Sequence, residues 1–333
     1  MKHRTAPPPP ADASILQAQT HALDRYLGTR RTRTRRATHP TRNVVGVGLA
    51  IKAVGGRRVG RPCVTVFVER KLRKADVPRS DRIASELDGV ELDVVAVGRF
   101  RRLAGGGPVF PQPVDPIRPG CSIGARPPAG GERIAGTLAV VATGDGGARK
   151  FVLSNHHVLA GENGHPMGWP VVQPGPRDAP QGQVIATLAD YVALQGTGNV
   201  ADAAIAELAD GVRWTNDALE PAATLASGEP LVPYLGQVVQ KVGRSSGYSA
   251  GFVVSPSATI RVDGYALGTI EFVDQMLLER DGAPFARVGD SGSLVTDYFR
   301  SRPVGLLFAT SDVVCAASRM DVVLGLFGLT IAP

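Results

Sequence analysis

Three short stretches carry residues whose types suit acyl-transfer chemistry. The first is VGDSGSLV, residues 288–295. A serine hydroxyl is a weak nucleophile at neutral pH and needs a neighbouring base. It also needs donors aimed at the oxyanion that forms when it attacks a carbonyl. Gly289 and Gly292 flank Asp290–Ser291 and allow a turn tight enough to point the N–H groups of Gly289 and Ser291 into one small hole. The second stretch, NVADAAIAEL at 199–208, places Asp202 directly before a small apolar strand. A carboxylate there, at the lip of a core, can accept a hydrogen bond from an imidazole. The third, FVLSNHHVLA at 151–160, ends an apolar run in a polar loop with two adjacent histidines, His156 and His157. Either ring could be the base. Each stretch alone also has an ordinary reading: a β-turn, an acid opening a strand, a loop pair of histidines.

Chain order narrows the chemistry. The candidates run His, Asp, Ser. An α/β-hydrolase runs Ser, Asp, His and carries Gly-x-Ser-x-Gly, whereas the fifth position here is Ser293. A subtilisin-like enzyme runs Asp, His, Ser, which also fails.

The elements that must hold these residues are strands. From Ile134 onward, short apolar segments alternate with turns: IAGTLAVVA, KFVLSNHHVL, GQVIATLADYVAL and VADAAIAEL. After residue 230 the pattern resumes with GQVVQKVGRSSG, AGFVVSPSATIRV, YALGTIEFVDQMLLE, SGSLVTD and PVGLLFAT. Many short strands at even spacing predict an all-β sandwich or barrel, and the break near 215–230 suits two packed barrels over 134–333.

Upstream the character differs. ADASILQAQTHALDRYLG predicts an amphipathic helix started by Asp12 or Ser14 and ended by Gly28. TRRTRTRRATHPTR is an arginine-dense linker completing a 1–42 segment. Residues 1–60 hold twelve Lys or Arg against two Asp or Glu, while the whole chain carries +7, so the basic character is N-terminal. Such an arm could bind nucleic acid, although no stacking aromatics interleave with its arginines. Residues 43–102 read as a small α/β module with strands around a Gly-rich turn and a helical piece near 80–88. Residues 103–133 are a Gly/Pro-rich connector. No apolar run reaches the roughly 18–20 residues of a membrane span, and the start lacks a secretory apolar stretch, so a cytoplasmic protein without membrane contact is expected. Cys63, Cys121 and Cys315 lie far apart, without metal-ligand spacing to histidines, and are expected to be buried, inert thiols.

VGDSGSL, LSNHHVL and ADAAIAEL, in this order, resemble the chymotrypsin/trypsin-like serine peptidases, especially their bacterial branch, over residues 134–333. KVGRSSGYSAGFV at 241–253 is similar to the Gly-rich strand pair that begins the second barrel in that branch. The resemblance implies a mainly β fold of two antiparallel β-barrels, with His157 and Asp202 on the first and Ser291 on the second. It also separates the histidines. The family's base stands after a polar residue and directly before Val, which is His157, while His156 takes the neighbouring Asn place.

The implied activity is a serine endopeptidase acting on polypeptides through an acyl-enzyme, with Gly289 and Ser291 amides as oxyanion hole and neither metal nor organic cofactor. Relatives that cut after basic residues keep an aspartate six positions before the serine, where this chain has Phe285. A pocket for uncharged side chains is therefore implied, lined by Phe285, Phe308 and Thr310. Many relatives use the acid before the serine to bind a freshly cleaved N-terminal amine. Only RIAGT at 133–137 echoes their activation sequence, so Asp290 is expected to take an arginine partner or processing to occur elsewhere. The alternative is a catalytically idle scaffold or binding protein of the same fold, tethered to nucleic acid by the basic arm.

Overall fold

A computed structural model describes residues 13–28, 43–54, 57–103, 107, 109–110, 112–220 and 228–333. The arginine-dense linker, and with it the nucleic-acid expectation, lies outside the described residues.

Side chains alternate across a strand, so a strand apolar on both faces must serve two cores. Three neighbouring strands do this. Val141, Val152, Ala204 and Ala206 point into one apolar cluster with Ile123, Leu159 and Ile185. Their sequence neighbours Val140, Ala142, Phe151, Leu153 and Ile205 point the other way, against Leu294, Leu306 and the helix residues Met320, Val323 and Leu324. The first cluster fills a barrel; the second cements that barrel to the rest of the molecule.

This first sheet has eight strands, ordered Thr330–Ile331, Val140–Gly144, Arg149–Ser154, Ala204–Leu208, Gln183–Tyr191, Pro170–Gln173, Ser122–Ala125 and Gly136–Thr137. The Gly/Pro-rich stretch thus supplies one strand, Ser122–Ala125. In the second sheet, Val238–Gly243, Leu294–Asp297, Pro303–Thr310, Cys315–Arg319, Gly268–Glu279 and Gly247–Tyr265 follow one another, and the last pairs back onto the first, closing a ring. The fold is mainly β, with two antiparallel barrels as expected.

The N-terminal hairpin, Val44–Val54 with Arg57–Val68, continues the second sheet, because Val44–Val54 pairs antiparallel with Gly247–Tyr265. Contact is close: a Cβ on Gly48 would stand 2.7 Å from that of Ala258. One hairpin face, with Val47, Leu49, Val64 and Val66, packs on Ala18, Ala22 and Leu27 of the N-terminal helical segment. That segment is the helix Ala13–Ala22 followed by a wider turn, Leu23–Leu27, and it stops where expected, at Gly28 with φ +67°.

The helical piece expected near 80–88 is instead two 3₁₀ turns, Lys74–Asp76 and Arg79–Asp81, followed by the short strand Glu86–Leu87. The apolar residues of the segment, Ile83 and Leu87, pack against the hairpin core from an extended chain, in which Glu86–Leu87 pairs with Val90–Ala96. The helix belonging to this module comes from residues 13–22. Among the described residues, no helix is long and apolar enough to cross a membrane.

Candidate active site

His157 is the second residue of the short helix His156–Leu159, which follows the strand Arg149–Ser154 after Asn155. Asp202 sits just before the strand Ala204–Leu208, whose register pairs Ala204 with Ser154. Antiparallel pairing therefore carries the residue two before one strand alongside the residue three after the other. Asn155 fastens this corner by donating from Nδ2 to the Asp202 carbonyl at 2.7 Å. Ser291 lies in the turn before Leu294–Asp297 of the second sheet. Gly289 (φ +101°) and Gly292 (φ +88°) shape that turn, and a Cβ on Gly292 would meet the Thr137 carbonyl at 2.2 Å. The two barrels are laced together here, since Thr137 N–H donates to the Ser291 carbonyl at 2.7 Å and Thr137 Oγ1 donates to the Gly289 carbonyl at 3.1 Å.

The three candidate side chains meet. His157 Nδ1 stands 2.6 Å from Asp202 Oδ2, and His157 Nε2 stands 2.8 Å from Ser291 Oγ. An ionised carboxylate only accepts, so Nδ1 carries the proton and Nε2 is left to accept from the serine hydroxyl. All three residues are wholly buried. Asp202 also accepts from the His157 backbone N–H at 3.2 Å and from the Tyr265 hydroxyl at 2.5 Å. Burial alone would push the Asp202 carboxyl up, but His157, through its charge and hydrogen bond, and Tyr265 hold it down at about 2. Tyr265 itself is pushed well above the usual phenol range, first by burial and then by the Asp202 charge, so it remains a donor.

His156 faces elsewhere. Its Nε2 accepts from the Asn163 backbone N–H at 3.2 Å, and its ring meets Tyr191 edge-on with centroids 5.0 Å apart. Burial pushes this imidazole down, favouring the neutral form. Of the adjacent pair, only His157 reaches the serine.

Asp290 has a lysine where an arginine was expected. Lys241 Nζ lies 2.9 Å from Asp290 Oδ2, with both side chains fully buried. The backbone N–H groups of Ser245, Ser246 and Arg287 donate to the same carboxylate at 2.8, 3.0 and 2.9 Å. Burial opposes the charge, yet Lys241, the Ser246 hydroxyl, which also donates to it, and the Arg287 N–H keep the carboxyl below its usual range. The arginine nearby, Arg244, pairs with Asp178 instead.

Substrate-facing positions need one correction. Phe285 is fully buried in an apolar cluster with Ala286, Leu307 and, from far upstream, Leu103. Phe308 lies outside that cluster, whereas Thr310 borders it through Cys315. Phe308 packs on Phe272 with ring centroids 4.6 Å apart, and Thr310 Oγ1 contacts Cys315 Sγ at 3.3 Å. Alternation along Pro303–Thr310 sends Leu307 to the Leu103 side and Phe308 away from it. What these two positions offer instead is backbone: Leu103 N–H donates to the Phe308 carbonyl at 3.1 Å, and Thr310 pairs with Arg101. The Leu103 carbonyl in turn accepts from the Ser291 hydroxyl at 2.6 Å and from the Gly289 N–H at 3.3 Å. Of the two amides expected to form the oxyanion hole, Gly289 is the one that meets it.

Leu103, Tyr265 and Lys241 were not singled out by sequence, since each is an ordinary residue in an ordinary strand or loop. A lysine in an otherwise apolar run, VVQKVG, was the one available signal. The three cysteines are all buried, and burial raises their thiols, Cys121 to about 12 and Cys315 to about 11.

No protein-family model and no curated protein matches the chain. Solved structures of chymotrypsin-like serine proteases are similar to it. A glutamic-acid-specific serine protease shares 16% identity at a TM-score of 0.46, covering 65% of this chain and 100% of its own. Protease A of Thermobifida fusca shares 17% at 0.45, covering 65% and 98%. Cellulomonas bogoriensis chymotrypsin shares 13% at 0.44, covering 65% and 99%. The likeness is one of fold.

Proposed function

We propose that the chain is a serine endopeptidase. The observation that supports this best is the unbroken line from Asp202 through His157 to Ser291, with a backbone N–H, that of Gly289, beside the serine. Ser291 Oγ attacks a peptide carbonyl carbon as its proton passes to His157 Nε2. Asp202 fixes the tautomer and stabilises the imidazolium that results. The Gly289 and Ser291 amides stabilise the oxyanion. His157 then protonates the departing amine, and a water, deprotonated by the same ring, hydrolyses the acyl-enzyme.

Ser291→Ala is expected to lower peptide or ester turnover by roughly 10⁴–10⁶-fold, with the circular dichroism spectrum and melting temperature retained. Turnover that survives the substitution would mean that another group is the nucleophile.

A further inference from the structure

Leu103 is held as a peptidase would hold a substrate. The strand Phe100–Arg102 pairs antiparallel with Pro303–Thr310, Arg102 opposite Ala309 and Arg101 opposite Thr310. Chain direction and register then deliver the next residue to the serine: Leu103 N–H to the Phe308 carbonyl, Leu103 side chain into the apolar cluster with Phe285 and Ala286, Leu103 carbonyl between Gly289 N–H and Ser291 Oγ. The serine has one hydroxyl hydrogen. It is donated to the Leu103 carbonyl oxygen, 2.6 Å away, and must pass to His157 Nε2, 2.8 Å away, as Oγ attacks. The residues before Leu103 are seated as well. Phe100 is fully buried beside Phe272 and Phe308, and Arg102, partly buried, lies 3.1 Å from Glu162 and donates to the Gly264 carbonyl. With this segment in place none of the three active-site side chains is accessible.

We infer that the chain's first substrate is itself: Ser291 cuts the bond between Leu103 and Ala104, and until it does so the 100–103 segment closes the cleft. Ala104 lies outside the described residues, and its identity is taken from the sequence. This rests on the peptidase reading above and adds to it the bond cleaved and the preferred sequence. In the first step the Oγ–C bond forms at the Leu103 carbonyl carbon while the C–N bond to Ala104 breaks. His157 carries the serine proton to the Ala104 amine. In the second step one water hydrolyses the Leu103 ester, which restores Ser291 and leaves a Leu103 carboxylate. The net reaction consumes one water. The same seats define the external substrates: a leucine-sized apolar residue before the cut bond, preceded by an arginine that meets Glu162.

Purified full-length wild-type protein and Ser291→Ala test this by intact mass and N-terminal sequencing after incubation at neutral pH. Wild type is expected to yield two fragments, one ending at Leu103 and one beginning at Ala104, while Ser291→Ala stays whole. Leu103→Asp, which forces a charge into the apolar seat, is expected to slow the cut at least 100-fold, with folding checked by circular dichroism. A fluorophosphonate probe separates the two readings. Wild type that stays whole, or is cut elsewhere, while Ser291 takes the probe overturns self-cleavage and leaves the peptidase standing. Wild type that stays whole, with Ser291 unlabelled even in folded Leu103→Asp, overturns both.

Discussion

The two barrels each bury one carboxylate completely, and the two acids are used in opposite ways. Asp202, on the first barrel, is met by an imidazole and a phenol, groups that can exchange or redirect a proton. Asp290, on the second, is met by the Lys241 ammonium, the Ser246 hydroxyl and three backbone N–H groups, which anchor it in place. Both stay ionised, but it is the partner of the first, His157, that also reaches the Ser291 hydroxyl. Burial with a polar partner therefore does not by itself mark a reacting group; a partner that also reaches the candidate nucleophile does.

The sharpest way to break this contrast is Asp202→Asn. An amide at that position presents a donor to Nδ1 and favours the wrong tautomer, so turnover should fall by about 10⁴, while the unfolding free energy at neutral pH falls by about 2 kcal/mol as the depressed carboxyl is lost. Asp290→Asn should act mainly on stability. It strands a buried Lys241 ammonium, and removal of one partner from a buried pair costs about 3–5 kcal/mol, to be read from urea unfolding at neutral pH. An Asp290→Asn protein as stable as wild type would dissolve the distinction.

Tyr265→Phe removes one hydrogen bond from the Asp202 carboxylate, a bond to a charged group worth about 1.5–3 kcal/mol. Turnover should drop roughly tenfold or more, and loss of one bond that holds the acid down should shift acid unfolding to higher pH. In the wild type, Asp202 falls from 3.8 to about 2 on folding. A depressed acid contributes stability above its unfolded value, and that contribution is lost as pH falls from near 4 through about 2. The size is about 2 kcal/mol. Asp202→Asn should flatten that part of the stability-versus-pH curve, and a curve unchanged by the substitution would place the acid transition on other groups.

Much of this arrangement was readable from residue order. Alternating apolar segments after Ile134 specify strands because period two is built into the strand itself, and the two-barrel outcome follows from there being two such groups. His157, Asp202 and Ser291 each stand in a short motif with its own local signature, and the folded chain brings those three side chains together. What could not be read were pairings without a local signature. Tyr265 reaches Asp202 across 63 residues, Lys241 reaches Asp290 across 49, and Leu103 reaches Ser291 across 188. The helix expected near 80–88 is absent for another reason: Ile83 and Leu87 bury their side chains from an extended chain, because Val90–Ala96 offers Glu86–Leu87 a strand partner that no local signal announces.

The hairpin at residues 44–68 has one more physical role. It occupies the free side of Gly247–Tyr265 at Ala258–Ile260, opposite the pairing with Gly268–Glu279. Were residues 1–103 to depart, the N–H and C=O groups there would be left as an open template, flanked by Ile260 and Val262, for any extended chain to join. A liberated 104–333 chain would be prone to dimerise or aggregate through that strand, which the hairpin covers.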